Sequence, residues 1–151
     1  MGLDVIFVRN NNEDDVISWD DPIVQKKNGF PFERYGVPIY EDRNEYDEIV
    51  NEASTQWCIA EICGMTCVGF VSFRGRGYSH FAGEKLPYSF HHSFSPGELK
   101  EQATALMAWL ETHHGEPDNA EYSGESLATV RHLSTLLNWA VGYELGTYAS
   151  Y

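Results

Sequence analysis

A chain of 151 residues, 42% apolar and 14% aromatic, is long enough for one hydrophobic core and too short for two ordinary enzyme domains, so a single domain over 1–151 is expected. This composition excludes disorder along the whole chain. With 23 acidic against 10 basic residues, a formal net charge of −13 repels phosphate backbones and anionic lipid headgroups at long range, which disfavours direct nucleic-acid binding and a membrane partner.

Leu3 to Val8 reads as an opening strand, ended by the polar turn Asn10 to Asp15. From Ser18 to Pro38 three prolines and two glycines interleave with Phe30, Phe32 and Tyr35, which suits a long packed loop. Asn44 to Ala53 can form a short acidic helix; Gln56 to Cys63 and Thr66 to Arg74 then read as two strands of a hairpin joined near Gly64. A continuous helix from Asn44 to Cys63 is the competing assignment, because Ile49, Ala53, Trp57 and Ala60 also fit helical spacing.

Ser95-Pro96-Gly97-Glu98 is a capping box with proline at the first helical position. The helix it opens carries Leu99, Ala103, Leu106, Met107 and Leu110 as its apolar stripe and ends near His114, with Gly115 as a left-handed stop. A further helix is expected from about Gly124 to Leu145, facing Leu127, Val130, Leu133, Leu136, Leu137, Ala140, Val141 and Tyr143 inward and closed by Gly146. Thr147 to Tyr151 can be a last strand. About three helices and four strands without βαβ alternation predict an α+β fold, a mainly antiparallel sheet with helices on one face.

No stretch approaches the apolar length of a membrane span and the opening residues lack a basic region before their apolar run, so a cytoplasmic, unprocessed protein is expected. Cys58, Cys63 and Cys67 have spacings that match no common zinc knuckle and read as buried thiols in a reducing compartment. No cofactor or metal is expected.

The most distinctive segment is Phe73-Arg74-Gly75-Arg76-Gly77-Tyr78-Ser79-His80-Phe81, with two arginines among glycines and aromatic residues. Its glycines permit close backbone approach, Arg74 and Arg76 offer forked donors to phosphate or carboxylate, and Tyr78 or Phe81 can stack on a base. Ser79 and His80 add hydrogen-bond donors. The plain structural alternative is a turn whose arginines pair with nearby carboxylates. His91-His92-Ser93 and His132-Leu133-Ser134 each contain a His-x-Ser triplet of the kind paired in two-histidine phosphoesterases, although His132 falls inside a helical pattern. His113 and His114 fit a helix C-terminus. The acidic runs 13–21 and 41–52 could imitate a DNA backbone or simply face solvent. Trp19, Trp57, Trp109 and Trp139 read as core or interface anchors.

The opening Met1-Gly2-Leu3-Asp4, the Phe73 to Ser79 segment and the closing Trp139-Ala140 helix with Gly146 resemble a loose group of small phage and prophage proteins. What the resemblance implies is a viral origin, in a class that includes inhibitors of bacterial defence which sequester nucleotide signals. It places the protein in the host cytosol.

The leading expectation is a non-enzymatic binding protein that sequesters a small phosphorylated, nucleotide-like signal, with Arg34 and the Phe30 to Tyr35 loop closing over it. Nanomolar retention needs roughly −12 kcal/mol, whereas each charge-assisted hydrogen bond contributes about 1.5 to 3 kcal/mol. A composite pocket in a homo-oligomer is therefore expected. An acidic protein–protein inhibitor or DNA mimic is the alternative from a different class, and a phosphoesterase using His92 and His132 is the third.

Overall fold

A computed structural model describes residues 4–31, 70–74, 80–81, 84–89, 91–113 and 127–150 of the chain. The opening strand forms as its β-branched and aromatic residues predict: in β1 (Asp4–Val8), Val5 and Phe7 are fully buried, while Asp4 and Ile6, which alternate with them, are half-buried. β1 is the centre of a three-stranded antiparallel sheet, flanked by β2 (Ser72–Arg74) and β5 (Gly146–Ser150). Val5 lies opposite Phe73 and Ala149, and Phe7 opposite Thr147. Directly opposed residues share a face, so these five form one buried layer.

The edge of this sheet changes hands midway. Asn10 and Asn11 adopt left-handed backbone angles of 54° and 53°, a conformation asparagine tolerates better than most residues, and the amide of Arg9 closes the turn on the carbonyl of Asp15 at 2.9 Å. The returning chain reaches Ile17, whose amide donates to the Phe7 carbonyl and whose carbonyl accepts from Val71. β2 thus gives up its place beside β1 to the 16–17 segment. On the opposite edge Phe94 bridges Thr147 through two backbone hydrogen bonds of 3.0 and 2.9 Å.

Two α-helices complete the described architecture. α1 (Pro96–Thr112) starts as its capping box dictates: the Ser95 hydroxyl accepts from the Glu98 amide at 3.3 Å, and the Glu98 carboxylate accepts from the Ser95 amide at 3.0 Å. It buries Leu99, Ala103, Leu106 and Trp109. Met107, expected in the stripe, is 52% exposed; Trp109 takes the inward position. The expected left-handed stop at Gly115 lies outside the described residues, and the cap residue His113 has ordinary negative φ.

α2 (Leu127–Gly142) buries Leu127, Val130, Leu133, Leu136, Leu137, Trp139 and Ala140, leaving Val141 partly buried and Tyr143 mostly at the surface. Its end differs from the expectation. The stop is Glu144, left-handed at φ 56°, with the Leu145 amide reaching back to the Ala140 carbonyl and the Glu144 amide to Val141, the paired bonds of a Schellman motif. Gly146 instead opens β5, where a β-carbon would stand 2.6 Å from the Phe94 carbonyl oxygen. Its glycine is required by that close approach.

One core joins these parts. Edge-on ring contacts run from Trp19 to Phe30 (5.8 Å), from Phe30 to Trp139 (4.9 Å) and from Trp139 to Phe7 (5.7 Å), tying loop, helix and sheet together. The Trp139 indole donates to the Ile23 carbonyl at 3.2 Å, so the 18–31 segment is a packed loop as its composition predicts, with one 3₁₀ turn at Lys26–Asn28. The fold is α+β with an antiparallel sheet. The described residues hold two α-helices rather than about three; the helix expected over 44–53, the competing helix to Cys63, most of the 56–74 hairpin, the three cysteines and Trp57 lie outside them.

Candidate functional site

The arginine–glycine segment begins at the end of an edge strand. Phe73, the residue before it, is 1% exposed and faces the core. Arg74 is the last residue of β2, and the register sets it directly across from Asp4 of β1. Chain alternation puts position 74 on the face opposite Phe73. The segment finishes in a second, two-stranded sheet, where β3 (His80–Phe81) pairs with β4 (Glu84–Lys85), His80 opposite Lys85 and Phe81 opposite Glu84. Arg34, Arg76, Tyr78 and Ser79 lie outside the described residues, as do the side chains of Arg74, His80 and Phe81.

Both ends of this excursion are fastened to the same spot. After β4 the chain buries Leu86 (2% exposed) and Tyr88 (1% exposed), and the Tyr88 ring lies 6.2 Å from that of Phe73 and 5.7 Å from that of Phe94. Burial pushes the Tyr88 phenol well above its ordinary range, opposed in part by the nearby Thr147. Phe73 and Tyr88, at the two ends of this stretch, therefore meet in the core.

The returning limb of the excursion also grips α1, an arrangement absent from the sequence-based candidates. One carboxylate oxygen of Glu84 accepts from the Trp109 indole at 3.3 Å, and the other lies 2.9 Å from Nε2 of His113. The imidazole stacks on the indole with centroids 3.8 Å apart and 19° between planes. Nδ1 of His113 faces the Trp109 carbonyl oxygen at 2.7 Å and the Thr112 hydroxyl at 2.9 Å. His113 was legible as a helix terminus, but Glu84, 29 residues away, carries no local signal of the contact.

The remaining candidates separate. His91 and His92 occupy an exposed turn and His132 lies within α2, half-buried, so none of the three is on a strand as two-histidine phosphoesterase motifs would have them. The serine hydroxyls of both triplets serve the fold: that of Ser93 accepts from the Ala149 amide at 2.9 Å, and that of Ser134 accepts from the Asn138 side-chain amide at 3.4 Å. In the first acidic run, Asp21 forms a forked ion pair with Arg9, one limb of it 2.9 Å long. The hydrogen bond from Arg9 holds the Asp21 carboxyl below its ordinary range. Asp21 is thus committed within the chain, and the 41–52 run lies outside the described residues. Trp19, Trp109 and Trp139 are buried, in keeping with their reading as core anchors.

Among the described residues no three His, Cys, Asp or Glu side chains converge as a metal site, and no helix is long and apolar enough to cross a membrane. Comparison of the chain with protein-family models, curated proteins and solved structures finds no match.

Proposed function

We propose that the protein is a non-enzymatic binding module whose excursion between Phe73 and Tyr88 holds a small phosphorylated, nucleotide-like ligand. The observation that supports this reading is the shared anchorage of Phe73 and Tyr88, 6.2 Å apart in the core. A rigid base holds the ends of a loop rich in arginine, glycine and aromatic residues, and a loop so placed needs less ordering when a ligand arrives. The register refines the roles of the two arginines. Arg74 stands opposite a carboxylate residue, Asp4, and opposite charges across an antiparallel pair attract, so Arg76 is assigned the principal phosphate contact and Arg74 a supporting one. Tyr78 or Phe81 stacks on the base, Ser79 and His80 donate hydrogen bonds, and Arg34 closes over the ligand. In the finer form of the proposal the ligand is a host immune signal, and the protein is a phage-type sequestering factor that completes its pocket as a homo-oligomer.

Calorimetric titration of the full chain with a panel of cyclic dinucleotides and ADP-ribose tests the assignment. Arg76→Ala is expected to weaken the binding ligand by at least about tenfold, the loss of one charge-assisted hydrogen bond, and Arg74→Ala by less, with both variants folded. Equal capture by wild type and the Arg74→Ala, Arg76→Ala double variant would remove the segment from consideration. Intact ligand recovered after heat denaturation supports sequestration, whereas altered product assigns an enzyme.

A further inference from the structure

The hydrogen-bond count around His113 fixes more than its position. The Trp109 oxygen is a backbone carbonyl and can only accept. The Thr112 hydroxyl donates its own hydrogen to that carbonyl at 2.8 Å, so it too accepts from the ring. Nδ1 must therefore carry hydrogen. In a neutral ring protonated at Nδ1, Nε2 is a bare lone pair, and it would face the Glu84 carboxylate oxygen at 2.9 Å, acceptor against acceptor. That contact closes only with one further proton between the two groups.

We propose that Glu84 and His113 form a proton-operated clasp that holds the β3–β4 hairpin to the C-terminal end of α1, closed when the imidazole is doubly protonated and released as pH rises. The hairpin has two residues in each strand, too short to persist without outside support, so the tie from Glu84 adds to the anchorage of Leu86 and Tyr88 in holding this limb. Three features favour the imidazolium: the Glu84 carboxylate, the terminal carbonyls of α1, and the indole face beneath the ring. Among the described residues, Glu84 is the charged group facing His113 from the hairpin; its strand neighbour Lys85 alternates to the other side, and the nearest charge on α1 itself is the exposed Glu111. The sign follows directly. The closed form binds the proton more tightly than the open form, so the clasp contributes fully below the ordinary imidazole value of about 6.5 and is lost as pH climbs through the closed-state value. The clasp does not depend on what the preceding loop binds.

Glu84→Gln separates a proton requirement from mere packing. The glutamine carbonyl can accept from the Trp109 indole while its amide donates to the bare Nε2 of a neutral ring, so the clasp should close without the extra proton. The experiment follows the His113 ring resonance by NMR and amide exchange at Phe81 to Leu86 from pH 5 to 9, each rate referred to the intrinsic pH dependence of exchange. In the wild type, hairpin protection is expected to fall across the His113 titration. In Glu84→Gln the ring's proton affinity should drop about threefold to fivefold, as for loss of a partly exposed ion pair, and hairpin protection should stay level through the same range. Glu84→Ala should lower protection at every pH, with amides of α1 and α2 reporting that the fold is kept. An unchanged His113 titration in Glu84→Gln, or wild-type hairpin protection that ignores the titration, overturns the proposal.

Discussion

Glu144 shows how a single backbone angle is set by its neighbours. Leu145 is 1% exposed and Gly146 must pass under the Phe94 carbonyl, so α2 has one residue in which to reverse into β5, and that residue is a glutamate at φ 56°. A side chain in the left-handed region costs roughly 1 kcal/mol relative to glycine. Glu144→Gly is accordingly expected to stabilise the protein by about 1 kcal/mol, measured by urea denaturation, because the exposed carboxylate contributes no described contact that outweighs the strain. A lower stability would show that the glutamate side chain holds the motif. From sequence the stop falls at Gly146, after the last apolar residue of the helical pattern; what displaced it was the β5–Phe94 pairing, a contact between residues far apart in the chain.

Elements whose signals are local were legible, and those made by distant contacts were not. The start of α1 is written within Ser95 to Glu98, and the structure realises both of its reciprocal bonds. Ser95→Ala should therefore cost about 1 kcal/mol and fray the first turn, seen as faster amide exchange at Leu99 and Glu98 with the α2 amides unaffected; equal loss in both helices would mean that the cap supports the whole core rather than one end. β1 was likewise readable from its β-rich composition. The β3–β4 hairpin was not, since strands of two residues display no periodicity and are held by Leu86, Tyr88 and Glu84 reaching elsewhere. The candidate site divides along the same line. Its arginine–glycine composition stood out in sequence, whereas the opposition of Arg74 to Asp4 and the closure of the loop through Phe73 and Tyr88 needed the sheet register and the core.

At the scale of the whole molecule, charge sets a condition on both stability and binding. A net charge of −13 on a single small chain repels itself in the folded state more than in the expanded one, and salt screens that repulsion within about 10 Å at 0.1 M. Local pairs work the other way, and Arg9–Asp21 loses attraction as ionic strength rises, although Asp21 is largely sheltered. With 23 acidic residues against 10 lysines and arginines, carboxylates outnumber the permanently charged cations by 13, so repulsion should prevail. Raising sodium chloride from 20 to 500 mM at pH 7 is expected to stabilise the protein by about 1 kcal/mol, a rise of roughly 3 °C in Tm for a chain of this size. The same series bears on function. Small-anion capture by the arginine loop should change little, because local attraction and the repulsion of the acidic body are screened together, while docking of exposed carboxylates on a basic protein should weaken steeply. A falling Tm would show that attractive pairs dominate the surface, and a binding constant that collapses with salt would move the active surface from the arginine loop to the acidic face.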